Sequence, residues 1–467
     1  MIADLRLAAR NLLRNRRRSV ATFAALALGC AAILLFAGYR ANIELSLQTA
    51  YVREGGHLQV QHRDYFLYGS GNPIAYGIAG AQAIAEAART DDRLDSLVRV
   101  VSPMLLFGGI ASQPDADVSR TVMILGQDAE AVKRMRAWNQ YGLPLPAHAF
   151  ALVDAGADAA IVGLGLARVL RLCAALEVAD CPQPAADDPA PGAAPGLPAD
   201  IAALVGQAAA AVAPAAGGRP RLDLLASGSA GAPNVVSLEV VLAERQGFKE
   251  VDEILLQMQL PMAQRLVFGR DEPKVTSLAF QLHRSDQIEP ARRQLAALIE
   301  RAGGDQPLVV RDYRELNPFF DQTVQMFGMI FGFIFALMAV IVLFTVGNTM
   351  STAVMERTVE IGTLRALGLR QRGIQRLFVF EGALIGVFGS ACGAAVALLL
   401  AAAVNGLGLT WLPPGSGTRL PLQLIVWGQT GTLLTTTIGL SLIAVASAWW
   451  PAHRASRLSI VDALRHA

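Results

Sequence analysis

Four stretches of about 20 residues, nearly free of charge, constrain this chain more than anything else in it: Val20–Tyr39, Phe327–Asn348, Ala383–Val404 and Thr430–Trp450. At about 1.5 Å per helical residue, each covers a hydrocarbon core of roughly 30 Å. A backbone in lipid must satisfy its own hydrogen bonds, so each stretch reads as a membrane helix. The fourth is diluted by Thr430, Thr432, Thr435, Thr436, Thr437 and Ser441. Even so, Trp427 at one end and Trp449 with Trp450 at the other stand where interfacial aromatics belong. A hydrophobic content of 53% against 17% charged is too apolar for a soluble protein of this size. A net charge of +2, without a basic stripe, argues against nucleic acid as a partner.

Arginine sets the orientation. The first 18 residues hold six, and Arg16, Arg17 and Arg18 directly precede the first span. Residues 349–377 hold five, the tail has Arg454, Arg457 and Arg465, and 405–429 has only Arg419. By the positive-inside rule both termini and 349–377 are cytoplasmic, while 40–326 and 405–429 lie outside. The expected layout is a cytoplasmic amphipathic helix at 1–18, spans at 19–39, 327–348, 378–404 and 430–450, and a cytoplasmic tail at 451–467. The first apolar run is longer than a signal-peptide core and is read as a retained span. Before it, Ile2, Leu5 and Ala9 with Leu12 or Leu13 make an apolar stripe, and Arg6, Arg10 and Arg14 recur on another face. That pattern suits a helix lying in the lipid headgroup layer.

The loop 349–377 has five arginines and no lysine. From Met355 to Leu367 its spacing is helical: Val354, Ile361 and Leu364 share one face, and Glu356 and Glu360 stand four apart on another. A short charged helix slung under two spans suits docking on a cytoplasmic partner.

Residues 40–326 are enough for a domain with its own core. Strand patterns occur at His57–Gln61, Leu97–Val101, Met104–Ile110, Thr121–Leu125, Val235–Leu242, Thr276–Leu282 and Leu308–Val310. Helical ones occur at Ala81–Thr90, Ala129–Trp138, Ile161–Leu172, Glu250–Leu256 and Gln287–Ala302. The mixture predicts an α+β domain of two lobes. Between 174 and 218 the composition turns to Ala, Pro and Gly, which reads as a flexible insertion around a short helix near Ile201–Val212. Cys173 and Cys181 lie eight apart in this outer domain, where an oxidising compartment permits a disulfide.

What is missing also decides. The stretches Val20–Tyr39, Phe327–Asn348, Ala383–Val404 and Thr430–Trp450 contain no Asp, Glu, Lys, Arg or His at mid-membrane depth, as an ion-coupled carrier needs. A phosphate loop, a nucleophile elbow, a zinc motif and any catalytic constellation are absent, so the chain is read as no enzyme, with no metal or cofactor of its own. The third span carries Gly382, Gly386, Gly389 and Gly393, a small-residue ridge that lets helices approach closely within one protomer or across a dimer.

On these residues the chain resembles the FtsX-like permeases of ABC transporters, the mechanotransmission class, nearest its lipoprotein-releasing and macrolide-exporting branch. The likeness is densest in Glu356-Arg-Thr-Val-Glu-Ile-Gly-Thr-Leu-Arg-Ala-Leu-Gly and Glu381-Gly-Ala-Leu-Ile-Gly, with Gly56-His-Leu-Gln-Val and Ala160-Ile-Val-Gly-Leu-Gly-Leu-Ala in the outer domain. The Ala/Pro-rich insertion is a departure. The resemblance implies an α-helical protein of the bacterial inner membrane with four transmembrane helices and a large periplasmic domain between the first and second. Two protomers, identical or paralogous, would pair with a cytoplasmic ATPase dimer that binds ATP and magnesium. Glu356, Arg357, Glu360, Gly362, Arg365 and Gly368 would form the ATPase-coupling helix. ATP hydrolysis would then change the periplasmic conformation and export or extract lipoprotein, lipophilic or peptide cargo, with membrane lipid, a periplasmic adaptor or a lipoprotein chaperone as further partners. The alternative is a non-transporting mechanotransmitter that regulates a periplasmic partner such as a cell-wall hydrolase.

Overall fold

A computed structural model describes residues 2–14, 16–69, 71–144, 150–178, 181, 219–229, 231–247, 249–411 and 420–457. The insertion helix expected near Ile201–Val212, most of the Ala/Pro-rich stretch and the end of the tail lie outside them. The chain divides into a membrane unit (Met1–Ser46, Phe319–Trp411, Pro421–Ala467) and a large unit, chiefly Leu47–Pro318.

The four apolar stretches fall within helices Arg16–Gly55, Pro318–Glu356, Gln371–Gly406 and Thr430–Ser456. This is a multi-pass membrane protein. Three of the helices far exceed their predicted spans: Arg16–Gly55 has 40 residues, about 60 Å and twice a hydrocarbon core. Arg40 and Glu44 end the apolar run without ending the helix, because both are good helix formers. Gly56 ends it. Its φ of +74° is left-handed, and a Cβ there would stand 2.7 Å from the carbonyl oxygen of Phe280.

Within the membrane unit the third helix, Gln371–Gly406, is the packing hub. The fourth presents Leu440, Ala444, Ala448, Ala452 and Ala455, all fully buried at helical spacing. The second, Pro318–Glu356, buries few residues, among them a narrow stripe at Val342, Val346, Met350 and Val354; Met329, Phe333 and Phe344 are each about 70% exposed, as lipid-facing side chains are. Hydroxyl pairs join helices where polar side chains occur, Thr22 with Thr349 at 2.7 Å and Ser390 with Ser441 at 2.9 Å.

The large unit is α+β and built on one sheet. Its strands are β1 (Leu58–His62), β2 (Val98–Gln113), β3 (Val118–Gln127), β4 (Ala159–Gly163), β5 (Arg221–Ser227), β6 (Pro233–Glu244), β7 (Leu255–Gln259), β8 (Ser277–Leu282) and β9 (Leu308–Asp312). Six of them close a ring, β2-β3-β7-β4-β6-β5 and back to β2. The ring's core includes Leu105, Phe107, Ile124, Leu222, Leu238, Val240 and Met258. The other strands extend an open sheet, β2-β8-β1-β9, and helices Ala81–Thr90 and Ile288–Ala302 pack together in the same core. The two lobes share β2. Val98–Met104 pairs with β8, and Met104–Gln113 pairs with β3.

Three local expectations change. The helix predicted at Ile161–Leu172 is β4 followed by a helix at Leu164–Val169. That predicted at Glu250–Leu256 is a single turn, Lys249–Asp252, then β7 and a helix at Leu260–Phe268. β4 is buried along its whole length, and such a run carries no period-two signal to separate it from a helix. The two runs predicted at Leu97–Val101 and Met104–Ile110 are one strand, continuous through Pro103.

Candidate functional site

Between the second and third membrane helices the chain is helical almost throughout. Pro318–Glu356 stops where Arg357 leaves helical geometry (φ −107°, ψ 18°), and Thr358–Ala366 follows. Gly368, at φ +96°, then reverses the chain. Its N–H donates to the carbonyl of Arg365 and that of Leu369 to the carbonyl of Leu364, each at 3.0 Å. This is a Schellman closure, which wants a residue without Cβ in the left-handed position.

The short helix has two faces. Ile361 and Gly362 are buried, Val354 just before it is buried too, and Leu364 is half-buried. The other face exposes Met355 (74%), Glu356, Val359 (40%), Glu360, Thr363 and Leu367 (80%). Apolar side chains that large, standing out among carboxylates, form a surface suited to a protein partner rather than to water alone. Beside it lies a groove lined by Leu7, Asn11, Arg14, Ile361, Leu364 and Phe378.

Arg357 corrects the sequence reading. Grouped with residues that face a partner, it instead turns inward and is 8% exposed. Its Nη1 donates to Glu381 Oε1 at 2.9 Å and its Nη2 to the carbonyl of Asn11 at 3.2 Å. Glu381, 1% exposed, also accepts from Asn11 Nδ2 at 2.7 Å. An arginine and a glutamate this deep are tolerated because each supplies the other's hydrogen-bond partner. Glu381 lies within the span placed at 378–404, so that span is not free of ionisable residues; the partnered carboxylate explains how it is tolerated. Glu360, by contrast, meets Arg14 in an exposed bridge at 2.6 Å. Arg365 is half-buried and Gly368 exposed.

The glycine ridge is spent inside the chain. A Cβ at Gly382 would collide with Ala448 and one at Gly386 would lie 3.0 Å from Ala444 Cβ, both on the fourth helix. At Gly389 it would lie 2.8 Å from Leu26 and at Gly393 2.7 Å from Cys30 Cβ, both on the first. The four glycines let two neighbours approach the third helix at successive levels.

In the large unit Cys173 and Cys181 are joined, with Cα atoms 6.0 Å apart. Asp252 explains the glycines of the Ala160 motif. Its carboxylate accepts the backbone N–H groups of Leu164 (3.0 Å), Gly165 (2.8 Å) and Gln246 (2.8 Å), and its own backbone crowds Gly163. Sequence reasoning missed the polar knot around His57. Nδ1 accepts the N–H of Leu282 at 3.0 Å, which leaves the ring proton on Nε2, 3.1 Å from Ser285 Oγ. Trp138 stands edge-on to the ring, 5.0 Å between centroids, and its indole N–H donates to the carbonyl of His283. The Gln281 amide donates to the carbonyls of Val52 (3.1 Å) and Met135 (3.0 Å). Burial pushes the His57 pKa down to about 3, so the ring is neutral. Among the described residues no group of three or more His, Cys, Asp or Glu is placed to hold a metal.

Residues 331–460, which hold the short helix, the ion pair and the glycine ridge, match the family of FtsX-like permease C-terminal domains. A lipoprotein-releasing system transmembrane protein LolC of Neisseria meningitidis serogroup B is 26% identical over 244 residues, 50% of this chain and 56% of its own. An uncharacterized ABC transporter permease of Methanocaldococcus jannaschii is 24% identical over 218 residues, 46% of this chain and 51% of its own. A macrolide export ATP-binding/permease protein MacB of Chlorobium phaeobacteroides is 27% identical over 248 residues, 50% of this chain and 34% of its own. The chain thus spans about half the length of the first curated relatives it matches. Residues 331–460 are thus similar to FtsX-like permease domains, and about half of the chain is similar to ABC permeases of the lipoprotein-releasing and macrolide-exporting kinds.

Proposed function

We propose that this chain is the permease subunit of an ABC transporter of the bacterial inner membrane, driven by a separate cytoplasmic ATPase. Both termini and the short helix lie in the cytoplasm, and the large unit lies outside. The ATPase binds ATP and magnesium; this chain binds neither and catalyses nothing. Its task is to turn movement of the short helix into a conformational change of the large unit that exports or extracts envelope cargo of lipoprotein, lipophilic or peptide kind. A second protomer and membrane lipid complete the assembly, and a periplasmic adaptor or lipoprotein chaperone receives the cargo.

One observation carries this reading: residues 355–367, around the helix Thr358–Ala366, expose Met355, Glu356, Val359, Glu360 and Leu367, while Ile361 and Gly362 of that helix are buried within the membrane unit. A helix anchored on one side and sticky on the other can take a push and pass it on. The arginine asymmetry between 349–377 and 405–429 supports its cytoplasmic placement. The test is reconstitution of the full chain in nanodiscs with candidate ABC ATPases. ATPase turnover should respond to the permease, and reversing Glu356 and Glu360 to Lys should abolish the response. Turnover indifferent to those reversals sinks the reading, as does labelling of Thr363→Cys by an impermeant maleimide in intact cells.

A further inference from the structure

We infer that Arg357, Glu381 and Asn11 form the joint through which displacement of the short helix reaches the rest of the membrane unit. The inference rests on reading that helix as the ATPase-facing element. Arg357 sits at the break between Pro318–Glu356 and Thr358–Ala366, the place where the short helix can tilt against the long one. Its guanidinium bonds the third helix at Glu381 and the N-terminal helix (Ile2–Arg14) at the carbonyl of Asn11. Asn11 and Arg357 both donate to one atom, Glu381 Oε1. Three elements therefore meet at a single carboxylate oxygen.

The chemistry of the meeting point favours transmission over mere filling. Apolar contacts are non-directional and let helices slide, whereas charged hydrogen bonds fix both distance and angle. A buried ion pair gives little net stability over apolar side chains of the same size, so stability alone does not account for it. The exposed Arg14–Glu360 bridge, screened by water, is too weak for the task. The next residue after Glu381 is Gly382, in close contact with Ala448 of the fourth helix, and Gly389 and Gly393 meet the first. A pull on Glu381 thus enters the third helix where it grips its neighbours.

The test uses the full chain in nanodiscs of phosphatidylethanolamine and phosphatidylglycerol, comparing the parent, Arg357→Met, and Arg357→Met with Glu381→Leu. Amide hydrogen exchange is followed in Ile2–Arg14 and Thr358–Ala366. The single variant strands a buried carboxylate, and exchange should quicken on the order of a hundredfold or more in both segments. The double variant should melt near the parental temperature, yet its N-terminal and short helices should exchange faster than in the parent and at unrelated rates. Parental exchange of both segments in the double variant overturns the joint, because any filler would then serve. With a candidate ABC ATPase and vanadate-trapped ATP, parent and double variant should bind equally, since the exposed face is intact, but nucleotide-dependent protection should spread into the third helix only in the parent. Equal spreading in both also overturns the joint. If no ATPase binds the parent, the proposed function falls, and exchange alone then decides the joint.

Discussion

The two units each hold a buried polar knot, and the knots are made of opposite materials. In the membrane unit Arg357 and Glu381 make an ion-pair contact, joined by Asn11. In the large unit His57, Trp138, Gln281 and Ser285 are neutral and bind mostly backbone. A neutral knot ties strands and loops into a scaffold and tolerates small errors; a charged one is unforgiving of the loss of either partner. The two knots should therefore answer differently to the loss of one partner.

The comparison can be broken most forcefully at the charged knot. Arg357→Ala should destabilise the membrane unit by about 3–5 kcal/mol, with Arg357→Met plus Glu381→Leu recovering most of it, both read by thermal unfolding in nanodiscs. A loss as small in the single variant as in the double would mean the pair is hydrated and the contrast false. Next, the large unit depends on its disulfide: Cys173→Ser with Cys181→Ser should cost about 2–3 kcal/mol, by closure of a short loop, without changing exchange at Thr358–Ala366.

Acid should separate the knots more finely. His57 has a pKa of about 3 folded against an ordinary value of 6.5, so the unfolded chain binds the extra proton first. Its contribution is full above about pH 6.5 and drains away as pH falls toward 3, roughly 2 kcal/mol being gone by about pH 5. His57→Gln should flatten that acid limb in thermal melts of the full chain; a limb that persists unchanged assigns it to other groups. Smallest of all, Arg14→Gln should change stability by about 0.5 kcal/mol or less, because its bridge to Glu360 is exposed. A larger effect would extend the charged knot to the surface.

How much of this was legible before the structure depends on how local each cause is. The membrane helices were readable because lipid permits few alternatives, but Arg16–Gly55 overran its predicted span, since hydropathy stops at Arg40 and helix propensity does not. The two faces of the short helix followed from the spacing of Ile361 and Leu364 against Glu356 and Glu360. Arg357 could not be oriented that way: its partners are 24 residues ahead in Glu381 and 346 behind in Asn11, and no local pattern records them. The glycine ridge was readable as close packing, whereas its partners, Ala448, Ala444, Leu26 and Cys30, are tertiary facts. β5 announced itself in the alternation of Leu222, Leu224 and Ala226, overlooked beside the Ala/Pro-rich stretch that precedes it.

Strand β2 leaves the lobes of the large unit no independence. Its first half belongs to the open sheet and its second to the ring, with Met104 paired to both β8 and β3 at the crossing. Twisting one lobe against the other would tear a ladder rather than bend a linker. The unit should therefore behave as a single body, its two lobes bound along one continuous strand rather than free to fold against each other.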